Sequence, residues 1–339
     1  MVKCGEKSSV EMILATEFSE AIEGVLPACS FQIWWRRVSD TDEKISPNDN
    51  VLERVDAHAK QAYSAGGKVL AVQVTNPIDA GIYHLKVTAT CTERSMYILP
   101  LESAEVRCVA HLEEHAPAFL VTCYRHVPCP GLPFLRVCEE YGACLGSHTW
   151  DSSVVLLQTL GCLQAEGKLG CSLRRVALDV GAGVGVGGLG LAAMAGFQTT
   201  LISDKAELLP LMQRNIALNR CIMGEGNARK EVHAIVLDWS EPSHVRTVQT
   251  TYGPEIDLIL ASDVLYDLTA ANYLCGVLQA LARPGKGGTP IYLAQRLRDG
   301  RKDLQDLVEG GTLENWRAFS VEAVSSDAGV SVFRMMLKE

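Results

Sequence analysis

The stretch Leu178-Asp-Val-Gly-Ala-Gly-Val-Gly185 decides the fold of this chain. It continues the apolar run Arg174–Val180, which predicts a strand, and precedes Val186–Gly196, a run of small residues that predicts a helix. Glycines let the chain turn sharply and let its backbone approach a ligand, and the helix that follows offers free N–H groups. The stretch therefore predicts a nucleotide-like cofactor at the carboxyl end of the first strand of an α/β sheet.

The chain beyond this turn continues to alternate strand and helix patterns. Further strands are predicted at Thr199–Asp204, Val232–Trp239, Ile256–Leu260 and Pro290–Ala294, and helices at Ala206–Cys221, Leu268–Ala282 and Arg301–Trp316. Strands that alternate with helices at this spacing indicate a doubly wound, Rossmann-like parallel sheet. The runs Ser320–Val324 and Ser331–Leu337 alternate apolar and polar residues around a turn, which predicts a final antiparallel hairpin.

The first half of the chain has a different pattern, rich in short strands. Helices are predicted at Ser9–Val25, where Ser8 and Glu11 have capping-box spacing, and at Asp49–Tyr63. The predicted strands are Phe31–Val38, Lys68–Thr75, Gly81–Thr90, Met96–Leu101, Glu105–His111 and Phe119–His126. Val127–Pro133, with three prolines and a glycine, is the predicted linker. We expect an N-terminal α+β module of unknown role in residues 1–130 and a cofactor-binding domain in residues 131–339.

Acidic residues end the predicted strands that follow the glycine turn. Asp204 ends the second strand, 23 residues after Gly181, where a carboxylate can accept both hydroxyl groups of a ribose. Asp238 and Trp239 end the third strand, and their side chains suit the edge and face of an adenine. The fourth strand ends in Ser262-Asp263-Val-Leu-Tyr266.

Two cofactors use a glycine turn of this kind. Gly183, Gly185 and Gly188 satisfy G-x-G-x-x-G, the dinucleotide pattern, so a nicotinamide cofactor is one alternative. S-adenosylmethionine is the other, with the pattern D/E-x-G-x-G-x-G. Asp179, two residues before Gly181, is expected only for the second, and the acids at successive strand ends also favour S-adenosylmethionine.

At these positions the sequence resembles the methyltransferase-like family-16 enzymes, which are seven-strand, S-adenosylmethionine-dependent protein-lysine methyltransferases acting on non-histone proteins. The resemblance extends from about Gly146 to the C-terminus. It is carried by Gly146–Asp151, Leu178–Gly185, Ile202–Asp204 with Asn215 and Asn219, Leu237–Trp239 and Ser262–Tyr266. It implies a seven-strand sheet and a protein substrate that carries a target lysine.

The motifs and the resemblance together assign the site residues. The cofactor-binding residues expected are Trp150, Asp179, Gly181, Ala182, Gly183, Gly185, Asp204, Asp238, Trp239 and Ser262. By the resemblance, Trp150 packs beside the cofactor, Asp204 holds its ribose, and Asp238 and Trp239 flank its adenine. Asp263 and Tyr266 are the expected catalytic residues that line the lysine channel, and Arg296 matches an arginine that the family often carries.

The sequence departs from the family at two points. It has Asp179-Val180 where the family usually has Glu-Leu, and its lead of about 145 residues is much longer than the usual N-terminal hairpin. Three alternatives stay open: a small-molecule N-methyltransferase on the same fold, an NAD-dependent oxidoreductase, and a binding module without catalytic activity.

Composition excludes several classes of protein. A hydrophobic fraction of 47% excludes a mainly disordered chain, and a net charge of −9 argues against broad nucleic-acid binding. The twelve cysteines contain no C-x-x-C, and no secretory signal is recognisable, so we expect reduced thiols in a cytoplasmic protein, with the nucleus as the alternative.

Membrane and metal sites are not expected. Val180–Ser203 carries no charge, but its glycines suit a turn better than a membrane span. His111–His115 satisfies H-x-x-E-H, yet a solvated turn explains it better than a zinc site, so no metal is expected. The sequence leaves the oligomeric state open.

Overall fold

The computed structural model describes part of the chain, and every structural statement below refers to that part. It covers residues 2–3, 7–14, 29–37, 58–64, 67–75, 81–91, 101–103, 106–109, 122–140, 144–169, 174–220, 231–296, 304, 308, 313–327 and 329–339. The chain divides into two units, one formed by Met1–His126 with Glu140–Gly142 and the other by Val127–Glu139 with Ala143–Glu339.

The described part of the first unit consists of β-strands. They are β1 (Val2–Lys3), β2 (Lys7–Leu14), β3 (Cys29–Arg37), β4 (His58–Ser64), β5 (Gly67–Thr75), β6 (Gly81–Cys91), β7 (Leu101–Ser103), β8 (Val106–Val109) and β9 (Thr122–Cys129), the last of which continues into the second unit. Strands β2, β5 and β4 form one antiparallel sheet. Another sheet has the order β1-β8-β6-β7-β9, with β3 also paired to β6.

The two helices predicted in this unit are wrong where the structure describes them. Strand β2 (Lys7–Leu14) includes the first six residues of the predicted helix Ser9–Val25, and strand β4 (His58–Ser64) includes the last six residues of the predicted helix Asp49–Tyr63. In β2 the apolar residues also alternate, and pairing with β5 sets Val10 opposite Val72. Backbone pairing with a neighbouring strand overrides the helical pattern of a short segment.

The stretch Val127–Pro133, predicted as a linker, has regular structure and forms part of a β-hairpin. Strand β9 continues to Cys129, and β10 (Leu132–Glu140) follows after Pro130 and Gly131. Gly131 has a φ of 77°. Proline followed by a glycine with positive φ is the preferred central pair of a tight turn, so these residues connect two paired strands. The boundary between the two units, between His126 and Val127, lies at the start of this stretch.

The described part of the second unit includes five α-helices and, after β10, seven further strands. In chain order they are α1 (Asp151–Ala165), β11 (Val176–Val180), α2 (Val186–Ala195), β12 (Thr199–Asp204), α3 (Leu209–Leu218), β13 (Glu231–Val236), α4 (Pro242–Tyr252), β14 (Ile256–Ser262), α5 (Leu268–Leu281), β15 (Ile291–Arg296), β16 (Phe319–Asp327) and β17 (Val330–Leu337). The strand order is β13-β12-β11-β14-β15-β17-β16.

This sheet confirms the predicted fold class. Its first five strands run parallel, and β17 is antiparallel to both β15 and β16. The chain therefore forms a doubly wound, Rossmann-like sheet of seven strands that ends in an antiparallel hairpin. A dinucleotide-binding sheet of the usual order has six parallel strands, so the reversed strand β17 is a difference from the NAD-binding alternative.

Both faces of the sheet are covered, as a parallel sheet requires. On one face Ala177, Leu258 and Tyr292 pack with residues of α1 and α2 such as Leu156 and Leu191. On the other face Leu178, Ile259 and Leu293 pack with residues of α5 such as Leu274 and Leu278. Successive strand residues thus enter opposite cores, and this explains why these strands are continuous apolar runs.

Some helices differ from their sequence predictions. Ala206–Cys221 begins as a 3-10 turn over Ala206–Leu208 and becomes α-helical as α3, where Pro210 lies in the first turn, a position that tolerates proline. Of the helix predicted over Arg301–Trp316, Leu304 and Val308 are helical and Glu314–Ala318 is a 3-10 helix. None of the helices that the structure describes is long and apolar enough to cross a bilayer.

Candidate functional site

The glycine turn after β11 requires glycine at each of its three positive-φ positions. Gly181, Gly183 and Gly185 have φ values of 69°, 56° and 90°. A Cβ atom at Gly181 would lie 2.7 Å from Cζ2 of Trp239, and one at Gly183 would lie 2.8 Å from the carbonyl oxygen of Gly146. The turn is therefore a bare backbone surface between two neighbouring segments, the strand end that carries Trp239 and the loop before α1.

Asp204, at the end of β12, is bonded directly to this turn. The Gly183 amide donates to Oδ2 of Asp204 (2.8 Å), and the Lys205 amide donates to Oδ1 (2.7 Å). Burial raises the pKa of Asp204 above its ordinary value, and the negative charge of Glu207 raises it further. The hydrogen bonds from the Lys205 and Gly183 amides lower the pKa but do not cancel the rise. Each carboxylate oxygen has a second lone pair, so Asp204 can also accept hydroxyl groups of a bound ribose.

Asp179 lies beneath the turn and is buried. Its Oδ2 accepts a hydrogen bond from the Gly188 amide in the first turn of α2 (2.7 Å), and its Oδ1 has no hydrogen-bond partner among the described residues. Burial raises the pKa of this carboxyl to about 7, and the charge of Asp204 contributes to the rise. A buried oxygen without a partner is costly, which suits a site that a polar ligand or a water completes.

The end of the third strand lies on the same side of the sheet. Asp238 Oδ1 accepts hydrogen bonds from the Ser240 amide (3.0 Å) and hydroxyl (2.8 Å). Burial acts to raise the pKa of Asp238, but these bonds and the charges of Lys205 and His244 outweigh it and hold the pKa below its usual value. Trp239 contacts the turn at Gly181, as described above, and packs against the edge of the core.

The fourth strand end forms a tight loop. Ser262 ends β14 and is half-buried, Asp263 is buried with a φ of 55°, and Tyr266 is 45% exposed, so solvent reaches it. Burial raises the pKa of Tyr266, and Asp204 is among the negative charges that raise it further. Strands β12 and β14 both run parallel to β11, so Asp204 and the loop that follows Ser262 lie at the same end of the sheet.

The loop before α1 lies against the glycine turn, and polar contacts hold the loop to itself and to the end of β15. The Trp150 indole Nε1 donates to the Leu145 carbonyl oxygen (2.9 Å), and Asp151, the first residue of α1, forms an ion pair with Arg296 at the end of β15. The Gly146 carbonyl oxygen faces Gly183. Trp150 and Arg296, which lie far apart in the sequence, are thus linked through neighbouring residues.

The structure therefore brings the predicted site residues to one edge of the sheet, around the turn that contains Ala182. Direct contacts connect Gly183 with Asp204, Gly181 with Trp239, and Gly183 with Gly146. Asp238 accepts a hydrogen bond from Ser240 in its own loop, and Asp179 accepts one from Gly188 of α2. Neither carboxylate is hydrogen-bonded directly to the turn in these two contacts. The H-x-x-E-H sequence at residues 111–115 lies outside the described residues.

Sequence reasoning missed three polar residues that support this edge. Glu139, buried at the end of β10, accepts from the Thr149 amide (2.9 Å), and Ser203 Oγ donates to the Asp179 carbonyl oxygen (2.8 Å). Gln295 hydrogen-bonds to Asp263. Gln295 could have been suspected because it is a polar residue at the end of an apolar strand. A buried polar side chain needs hydrogen-bond partners, so its position indicates a supporting role.

The site fits S-adenosylmethionine. Asp204 is bonded to the turn and has acceptor capacity for a ribose, and Asp179, buried beneath the turn, has an Oδ1 that an ordered water would satisfy. Among the described residues no group of three or more histidine, cysteine or acidic side chains could hold a metal ion.

Comparisons with known proteins cover this part of the chain. A family described as lysine methyltransferase matches residues 132–306, about half of the chain. The human protein N-methyltransferase candidate FAM86B2 is 29% identical over 161 residues (45% of this chain and 46% of that protein), and the human protein-lysine N-methyltransferase EEF2KMT is 28% identical over 167 residues (47% and 48%). The chain thus spans about half the length of the curated relatives it matches.

Solved structures match more distantly. A candidate transferase from Pyrococcus horikoshii, PH0793, has a TM-score of 0.41 and 13% identity, covering 65% of this chain and 72% of that chain. The fold assignment therefore rests on the observed strand order and not on this similarity.

Proposed function

Because the chain belongs to the lysine methyltransferase family, we propose that it transfers a methyl group from S-adenosylmethionine to a lysine side chain of a non-histone protein. S-adenosylmethionine is the cofactor of this family, and when bound it supplies a methyl group activated by a positively charged sulfur. The activity, the protein substrate and the role of each site residue are parts of this proposal. A segment of another protein that presents a lysine is the proposed partner.

The observation that carries the proposal is the hydrogen bond from the Gly183 amide to Asp204, with the Asp263–Tyr266 loop at the same end of the parallel sheet. The bond joins the glycine turn to the carboxylate that would hold the ribose. A cofactor whose ribose binds Asp204 would extend its reactive end along the edge of the sheet toward the end of β14. The acceptor amine would then enter beside Asp263 and Tyr266.

The main chemical task of the chain is to present a neutral amine. A lysine has an ordinary pKa of about 10.4, so at pH 7 about one amine in a few thousand is neutral, equivalent to about 4.6 kcal/mol. Burial of the amine in a narrow channel would lower its pKa. The Asp263 carboxylate would hold the lysine nitrogen near the site by hydrogen bonding, and alignment of the amine would contribute most of the acceleration.

Tyr266 would complete this alignment. The pKa of its hydroxyl is raised, chiefly by partial burial, so the hydroxyl keeps its proton at neutral pH. A neutral phenol oxygen can accept a hydrogen bond from an amine N–H, which would orient the amine lone pair. Trp150 would pack beside the cofactor, and Asp238 and Trp239 would flank its adenine.

Labelling of proteins in a cell lysate tests the proposal. The purified chain is incubated with lysate and S-adenosylmethionine labelled on its methyl group, and labelled proteins are separated and hydrolysed. We expect labelled methyl-lysine in at least one protein, and loss of most of this label with Asp263→Ala or Tyr266→Phe. A matched control is Tyr273→Phe, which changes another half-exposed tyrosine on α5.

The alternatives predict other results. A small-molecule N-methyltransferase would leave the label in the low-molecular-weight fraction, and a binding module without activity would give no label above background. An NAD-dependent oxidoreductase would bind NADH, and not S-adenosylmethionine, in calorimetry. Label in histones alone would contradict the non-histone substrate.

We also propose how the remaining parts of the chain are used. Residues 131–339 would form the methyltransferase domain, and residues 1–130 would form a module that acts as a scaffold or helps to recognise the substrate. A cytoplasmic location, with the nucleus as the alternative, agrees with the free thiols of Cys129, Cys144, Cys162 and Cys275. No nucleic acid or membrane partner is proposed.

A further inference from the structure

Asp263 adopts a backbone conformation that is unfavourable for its residue type. Its φ of 55° lies in the left-handed region, which side chains with a Cβ atom rarely adopt. Arg174 is the other non-glycine residue with positive φ in the described part of the chain, and it lies away from this strand end. Such strain persists where surrounding contacts impose it, and it often occurs at functional sites.

The contacts that impose it come from the end of β15. The Asp263 amide donates to the Ala294 carbonyl oxygen (2.8 Å), and Nε2 of Gln295 donates to Oδ1 of Asp263 (2.8 Å). The Leu265 amide donates to Oε1 of Gln295 (3.0 Å). The single amide group of Gln295 therefore bonds to the side chain at the start of the loop and to the backbone two residues later.

The burial of Gln295 shows that this is its main role in the fold. Gln295 follows four buried apolar residues of β15, Ile291–Ala294, and is itself only 9% exposed. Because Ser262 is paired with Ala294, Gln295 lies one residue beyond this pair, beside Asp263. An unsatisfied amide would be costly here, and the two bonds to the loop satisfy both ends of the Gln295 side chain.

We propose that Gln295 is a positioning residue for methyl transfer, which holds Asp263 in its left-handed conformation and aims the Asp263 carboxylate at the acceptor amine. This inference rests on the proposed function and adds a residue to it. Gln295 acts through Asp263 and the loop that carries Tyr266, and it needs no contact with the cofactor. The bond from Gln295 and the left-handed backbone together keep the Asp263 carboxylate from turning toward solvent.

Two substitutions separate the two bonds of Gln295. Gln295→Glu keeps an acceptor for the Leu265 amide but, as a carboxylate, cannot donate to Asp263. Gln295→Met removes both bonds at similar volume. The control is Gln213→Glu, which makes the same charge change at an exposed residue of α3.

The first measurement is hydrogen exchange of the Leu265 amide, which needs no acceptor protein. We expect slow exchange in the natural chain and in Gln295→Glu, and faster exchange in Gln295→Met, because only the methionine removes the acceptor. Equal protection in all three chains would overturn the proposal that Gln295 holds the loop.

The second measurement is the initial rate of label transfer to the protein acceptor found by lysate labelling, at saturating S-adenosylmethionine. We expect kcat to fall about tenfold or more in both variants, because small misplacements of a reacting group cost factors of this size. The affinity for S-adenosylhomocysteine should stay within about twofold, because the bonds of Gln295 are on the acceptor side.

The outcomes distinguish this inference from the proposed function. If the natural chain labels no protein, the proposed function has failed, and the exchange experiment still decides whether Gln295 holds the loop. If the natural chain is active and Gln295→Glu keeps its full kcat, the positioning role is wrong. A loss of kcat in Gln295→Met alone, matched by loss of stability, would mean that the residue is structural, and this too would overturn the proposal.

Discussion

Arg296 and Asp151 form an ion pair although 145 residues separate them in the sequence. The pair connects the end of β15 with the first residue of α1, next to Trp150. Asp151 also places a negative charge at a helix N-terminus, where it is favourable. Gln295, the residue of β15 that precedes Arg296, hydrogen-bonds to Asp263 in the neighbouring loop. Gln295 and Arg296, consecutive residues of β15, therefore hold two different parts of the site, the Asp263 loop and the start of α1.

We expect the Arg296–Asp151 pair to contribute measurably to stability. In a double-mutant cycle with Arg296→Met and Asp151→Asn, measured by urea denaturation, the coupling should be about 1 kcal/mol, because both side chains are partly shielded from water. The exposed pair of Lys168 and Glu166 is the control and should show no measurable coupling. Strictly additive effects of Arg296→Met and Asp151→Asn would contradict the prediction.

We expect Asp204→Ala to weaken cofactor binding. Loss of the charged hydrogen bonds to the ribose should reduce the affinity for S-adenosylhomocysteine about tenfold, or about 1.4 kcal/mol, in calorimetry. Glu241→Ala, which removes an exposed carboxylate before α4, is the control and should bind normally. An unchanged affinity of Asp204→Ala would mean that the ribose does not bind at the end of β12.

We expect alanine in the glycine turn to weaken cofactor binding through a steric clash. Gly183 and Gly167 both have positive φ, 56° and 69°, so alanine at either position should cost about 1 kcal/mol of backbone strain. A Cβ at Gly183 would meet the Gly146 carbonyl oxygen at 2.8 Å, whereas at Gly167 it would meet nothing within 4 Å. Gly183→Ala should therefore weaken S-adenosylhomocysteine binding, and Gly167→Ala should not. Equal binding by both variants would show that the turn is not part of the cofactor site.

Asp179 should make stability depend on pH. Burial raises its pKa to about 7 in the folded chain, against about 3.9 in the unfolded chain. The raised pKa means that its contribution is fully present below about pH 4 and is lost as the pH rises through 7. Relative to Asp179→Asn, the natural chain should lose about 3 kcal/mol of stability between pH 5 and pH 8, because part of the loss has already occurred by pH 5. Urea denaturation at pH 5 and pH 8 measures this, and parallel curves for the two chains would contradict it.

The sequence predicted the second unit well because local pattern and tertiary position agree there. Strands β11, β12 and β14 are apolar runs that end in an acid or a turn, and parallel strands bring such ends to one edge. The strand-end residues Asp204 and Asp263 were therefore found without knowledge of contacts. The reversed final hairpin was also visible, since β16 and β17 alternate around a turn.

Other features depend on contacts that a local pattern does not contain. Ser8 and Glu11 have helix-start spacing, yet pairing with β5 makes this segment a strand. Pro130 and Gly131 suit a linker and a hairpin turn equally, and only the pairing of the flanking segments decides between them. Gln295 could be assigned to the loop of Asp263 only when its position beside that loop was known, 32 residues away in sequence.

Helix α3 seals the edge of β10 with two side chains. Asn215 exchanges a pair of hydrogen bonds with the backbone of Cys138, and Asn219 does the same with Arg136. Residues two apart in a strand direct their backbone groups to the same side, so these amides occupy positions that an incoming strand would use. The two asparagine side chains thus replace the hydrogen bonds of a neighbouring strand. They keep the edge of β10 from pairing with another polypeptide, and such pairing of exposed strands leads to aggregation.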